Sequence, residues 1–112
     1  MTVHLLKNEP VRFTTAACLA QLLIHCQKLA ASDITLQTGE PVFAEVYGRL
    51  LRITQRKLSN TEVAEILNLI YGPNGSAQIL SGVDIDTHYE FRPNRNERYR
   101  FRVNATGCLV AG

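Results

Sequence analysis

Ile85-Asp86-Thr87-His88-Tyr89-Glu90-Phe91-Arg92-Pro93-Asn94-Arg95-Asn96-Glu97-Arg98-Tyr99-Arg100-Phe101-Arg102-Val103-Asn104-Ala105 alternates in character on both sides of a central turn signal. Side chains two residues apart on a strand share a face. Ile85, Thr87, Tyr89 and Phe91 therefore lie together, as do Tyr99, Phe101, Val103 and Ala105. Asp86, His88, Glu90 and Arg92, and Arg98, Arg100, Arg102 and Asn104, fall on the opposite side. With Pro93 to Asn96 as the turn, the stretch predicts an antiparallel hairpin that has one apolar face and one charged face.

Upstream the period changes. Leu19, Leu22, Leu23, Cys26 and Leu29 recur at helical steps, which predicts a helix from Thr14 to Ala30 with Thr14 or Thr15 as cap. It stops near Ala31-Ser32-Asp33. Ile34 and Leu36, then Val42 to Tyr47, read as two strands around the turn Thr38-Gly39-Glu40-Pro41, and Leu50 to Thr54 reads as a third after Gly48-Arg49. Ser59 and Glu62 have capping-box spacing, and Val63, Ile66, Leu67 and Ile70 carry a second helix to about Tyr71. Gly72-Pro73-Asn74-Gly75 reads as its end, followed by a short helix at Ala77, Ile79 and Leu80 closed by Gly82. Strands grouped between helices, without regular βαβ alternation, indicate an α+β domain with helices packed on an antiparallel sheet.

A chain of 112 residues accommodates one core and no separate catalytic lobe. Its 46% hydrophobic and 20% charged residues are ordinary globular usage, which excludes disordered and fibrous classes. A net charge of +2 is too small for bulk attraction to nucleic acid or an anionic membrane. No stretch approaches the roughly 20 apolar residues of a membrane span, and no signal segment is present, so a cytoplasmic chain is expected. Cys18, Cys26 and Cys108 are odd in number. The first two stand too far apart on one helix for a disulfide, and His4, His25 and His88 are scattered, so reduced structural thiols and no metal site are expected. The closing run Thr106 to Gly112 ends on small apolar residues and reads as the edge of a longer protein.

Nothing matches the Gly-x-x-x-x-Gly-Lys-Ser/Thr turn that cradles nucleotide phosphates, and Gly72 to Ser76 lacks its lysine. No nucleophilic triad is recognisable, so the chain is not expected to be an enzyme by itself. Asp84 and Asp86, two residues apart, could serve paired-carboxylate or metal chemistry; a cross-strand ion ladder with Arg98, Arg100 and Arg102 is the default reading. The same arginine row, held on a rigid hairpin, also suits bidentate recognition of phosphate. Nucleic-acid binding is disfavoured, because alternation places Tyr99 and Phe101 opposite the arginines, whereas a stacking platform would share their face.

Four blocks, in order, carry a family resemblance: Ala31-Ser32-Asp33-Ile34-Thr35-Leu36-x-x-Gly39, Val46 to Ile53, Asp86 to Glu90, and Arg100-Phe101-Arg102-Val103-Asn104-Ala105. Together they resemble the N-terminal domains of pilus-retraction and type II and IV secretion ATPases. The DotB-like members of Dot/Icm type IVB systems and the conjugative TraJ-like members are the nearest. The likeness runs from about Leu19 to the C-terminal end. It implies an N-terminal extension over 1–10 and a PAS-like N-terminal domain over 11–112, with a RecA-like core elsewhere that binds ATP and Mg2+.

That family assembles as homohexamers in which an N-terminal domain packs on its own and a neighbouring core. The expected setting is cytoplasmic, peripheral to an inner-membrane secretion complex that includes another ATPase, with no membrane insertion and no nucleic-acid partner. Arginines of the family's N-terminal domain approach the outer phosphates of the nucleotide, and the block containing Arg102 and Arg100 corresponds to them, Arg102 first. Thr35 stands where the family commonly has histidine, which puts any role of that imidazole in doubt here. The alternative is a freestanding PAS-like sensor or adaptor with a small ligand in an apolar pocket.

Overall fold

The structure is a computed structural model describing residues 5–107 except Val11 and Thr14. Its elements are α1 (Ala16–Lys28), β1 (Asp33–Gln37), β2 (Phe43–Val46), β3 (Arg49–Arg52), α2 (Asn60–Ile70), α3 (Pro73–Leu80), β4 (Ile85–Asn94) and β5 (Glu97–Thr106). The five strands form one sheet in the order β3-β2-β1-β5-β4. This is an α+β domain, with a C-terminal hairpin as the alternation requires. The sheet is mostly antiparallel, but β1 and β5 run parallel, pairing Asp33 with Arg102 and Gln37 with Thr106. Periodicity fixes which face a side chain takes and says nothing about which strands become neighbours.

One face of the sheet is covered. Leu22 and Leu23 of α1, Ile66 and Leu67 of α2 and Ile79 of α3 close over Ile34, Leu36, Ala44, Phe101 and Val103. The alternate residues of the same strands, among them Glu45, Gln37, Arg102 and Asp86, face away from this core. Each buried aliphatic side chain contributes about 1.5–3 kcal/mol relative to an exposed one, so this layer accounts for the hairpin's asymmetric alternation.

The helix ends follow local chemistry. Thr14 lies outside the described residues; the Thr15 hydroxyl accepts from the Cys18 amide, capping α1. At its other end the amides of Ala30 and Ala31 donate to the carbonyls of Gln27 and Cys26, a closure that places Ala30 at φ 63. Ser59 caps α2 in a full capping box with Glu62. The expected stop after α2 is shorter than its four residues suggest. Only Tyr71 and Gly72, the latter at φ 105, separate the helices, and Pro73 opens α3 at its first turn, where its missing N–H costs nothing.

The β2–β3 loop is two residues, Tyr47 and Gly48, both at positive φ as a type I′ turn requires. Tyr47 is 86% exposed. The hairpin turn is likewise tighter than the sequence suggested: β4 continues to Asn94, which pairs with Glu97, and an irregularity after Phe91 absorbs Arg92 and Pro93.

The residues set apart in sequence as an extension also contribute to the core. Leu6 is buried and its amide donates to the Ile53 carbonyl at 2.8 Å. Gln21 of α1 donates to the carbonyls of Lys7 and Asn8.

Candidate functional site

The open face of the sheet carries the charged row. Arg102 lies in the middle of it, opposite Asp33 of β1 on one side and His88 of β4 on the other, with its amide donating to the Ser32 carbonyl at 3.0 Å. Its backbone is therefore held from both flanks. The side chain reaches diagonally: Nε donates to Asp86 Oδ1 at 3.0 Å and an NH2 hydrogen to Oδ2 at 2.6 Å. Both side chains remain about half exposed, at 52% and 51%. The hydrogen bonds from Arg102 hold the Asp86 carboxyl below the usual aspartate range, and Asp86 in turn raises the guanidinium further. Asp33 and Glu45 add to the negative field around Arg102.

The expected ladder forms only in part: Asp86 takes Arg102, and among the described residues Asp84 takes none of the three arginines. In register Arg100 faces Glu90, yet Glu90 takes Arg98 at 3.4 Å and Arg92 at 3.2 Å. Diagonal neighbours are within reach of side chains this long. Arg100 is left exposed and without an ion pair among the described residues. It also stands beyond the start of β1, whose pairing with β5 begins at Arg102.

Asp84 precedes the first residue of β4, so it does not share a strand face with Asp86 and the two carboxylates are not paired by the sheet. Among the described residues no group of three His, Cys, Asp or Glu side chains could hold a metal. Phe101 is buried and Tyr99 half-buried, on the face away from the arginines. Thr35 lies on the open face, paired with Asn104 and Phe43. Cys26 is buried, which pushes its thiol up to about 12, and Cys18 and Cys26 are both free. Cys108 and His4 lie outside the described residues, as does the terminal run from Cys108 to Gly112.

A second arginine–carboxylate pair was not anticipated. Arg56 gives NH1 to Glu62 Oε1 at 2.7 Å and NH2 to Oε2 at 2.8 Å, while Glu62 also accepts from the amides of Phe13 at 3.0 Å and Ser59 at 3.1 Å. The Arg56 guanidinium lies 5.6 Å from the centre of the Phe13 ring and donates to the Pro10 carbonyl. Glu9 accepts from the amides of Gln55 and Arg56. Burial would push the Glu62 carboxyl up; Arg56 and the two amides outweigh it and hold the group below the ordinary glutamate range. The capping-box spacing located Glu62, but nothing local links it to Arg56 or Phe13. This knot fastens the N-terminal segment to the start of α2.

No helix among the described residues is long and apolar enough to cross a membrane. No protein-family model matches the chain, and no curated protein matches it. Among solved structures, the ATPase DotB of Legionella pneumophila is 65% identical with a TM-score of 0.78, over 96% of this chain and 29% of that one. The ATPase DotB of Yersinia pseudotuberculosis is 27% identical with a TM-score of 0.68, over 85% of this chain and 26% of that one.

An α+β domain of this kind, without a phosphate-cradling Gly-Lys turn and similar to part of two ATPases, defines the class: the N-terminal domain of a secretion ATPase. The chain is a DotB-like domain, similar over 96% of its length to the Legionella protein. It spans less than a third of the length of either relative.

Proposed function

We propose that this PAS-like domain is the assembly and nucleotide-sensing part of a hexameric cytoplasmic ATPase that powers type IVB, Dot/Icm-like secretion. The observation that carries the reading is the 65% identity to an ATPase over nearly the whole chain. ATP and Mg2+ are bound by a RecA-like core outside these residues, and the domain packs on its own core and on that of a neighbouring subunit. The assembly sits peripherally on an inner-membrane complex containing another ATPase.

Arg102 and Arg100 approach the outer phosphates of ATP. Two features support this role: Arg100 is an exposed guanidinium without an ion pair among the described residues, and Arg102, rooted in the centre of the sheet, has donors that no described residue takes. A guanidinium placed there neutralises charge on the terminal phosphate and couples nucleotide state to the angle between domain and core.

In the full-length protein, Arg102→Ala is expected to lower ATP turnover by about tenfold or more, with Arg100→Ala smaller, while the domain melts at the wild-type temperature. Unchanged turnover in both variants overturns the phosphate role.

A further inference from the structure

The guanidinium of Arg102 has five N–H donors, two edges of which can each grip a pair of oxygens. Asp86 takes only the Nε–NH2 edge. Both NH1 hydrogens and the second NH2 hydrogen have no partner among the described residues.

Two consequences of the carboxylate oppose one another. Its charge repels an arriving phosphate, which weakens binding. Its two hydrogen bonds fix a long, flexible side chain in one orientation, so that less ordering is needed when an anion docks. At roughly half exposure water weakens both, but the repulsion, which acts over a longer distance, more than the two direct hydrogen bonds.

We propose that Asp86 is a positioning residue for Arg102: it clamps the Nε edge and leaves the NH1–NH2 edge free for the terminal phosphate of ATP. This rests on the reading that the hairpin faces nucleotide. Arg102 carries the geometric part of recognition because its backbone is bound on both flanks and its side chain is held. Arg100, on the two-stranded part of the hairpin and unclamped, contributes charge. A fixed fork of this kind separates ATP from ADP, since only ATP has the outer phosphate to fill it.

The test is the ratio of ATP to ADP affinity in the full-length protein, measured by competition against a fluorescent nucleotide. Asp86→Ala is expected to weaken ATP by about tenfold with little effect on ADP. Asp86→Asn, whose amide oxygen still accepts one bond from Arg102, falls between that variant and wild type and serves where the alanine variant is poorly behaved. Arg102→Lys, which has no second edge, is expected to match Asp86→Ala. Tighter ATP binding in Asp86→Ala, or an unchanged ratio in both Asp86 variants while Arg102→Ala lowers it, overturns the positioning role and leaves the phosphate reading standing. An unchanged ratio in Arg102→Ala removes both.

Discussion

Among the described residues two arginine–carboxylate pairs are bidentate, Arg56 through NH1 and NH2 and Arg102 through Nε and NH2, and they lie in opposite settings. Arg56 and Glu62 are 32% and 4% exposed, and the carboxylate is shared with two backbone amides. Arg102 and Asp86 are half exposed and make no further side-chain hydrogen bond or ion pair among the described residues. The same contact therefore does two jobs. In the buried setting it cannot be broken without leaving polar groups unsatisfied, so it fastens the fold. In the open setting water replaces either partner, so the pair contributes little to stability and is free to serve recognition.

The strongest way to break the contrast is Glu62→Ala. It strips the partner from Arg56 and from the amides of Phe13 and Ser59 together, and is expected to cost about 3 kcal/mol, or roughly 15 °C in Tm for a domain this size. Thermal unfolding followed by circular dichroism measures it. A loss comparable to that of an ordinary surface variant would show the knot to be dispensable.

Acid titration sharpens the contrast more gently. The folded state holds the Glu62 carboxyl below its unfolded value, so its stabilisation is complete above the unfolded value of about 4.3. It is lost as pH falls from there through the depressed folded value. Urea midpoints measured from pH 7 to pH 3 should fall more steeply in wild type than in Glu62→Gln. Parallel curves would mean that other carboxylates govern acid unfolding.

The smallest expected effect lies on the open face: Asp86→Ala should leave Tm unchanged within error even as it alters nucleotide selectivity. A large drop in Tm would make the pair structural and erase the distinction.

Legibility from sequence divided along similar lines. The hairpin's alternation announced both of its faces, and Ser59 with Glu62 announced the start of α2, because those signals lie within a few residues. The arginine row was likewise visible, although the crossed pairing that leaves Arg100 without an ion pair among the described residues was not. Arg56 gave no warning: its partners Phe13, Pro10 and Glu9 are distant in sequence, and no periodic pattern marks them. The parallel pairing of β1 with β5 was hidden for the same reason. Gly72 misled in a different way, because a glycine and a proline that terminate one helix also served to start the next.

The placement of β5 between β1 and β4 has a bearing on how the domain comes into being on the ribosome. β1, β2 and β3 emerge early and can form their meander at once, but the β1 edge stays open until β5, the last strand described, leaves the exit tunnel. Until then Ile34 and Leu36 sit on an unpaired edge, a template for pairing with another nascent chain. Closure of the sheet is thus a single event that waits on the last of its described strands, the one that bears Arg102.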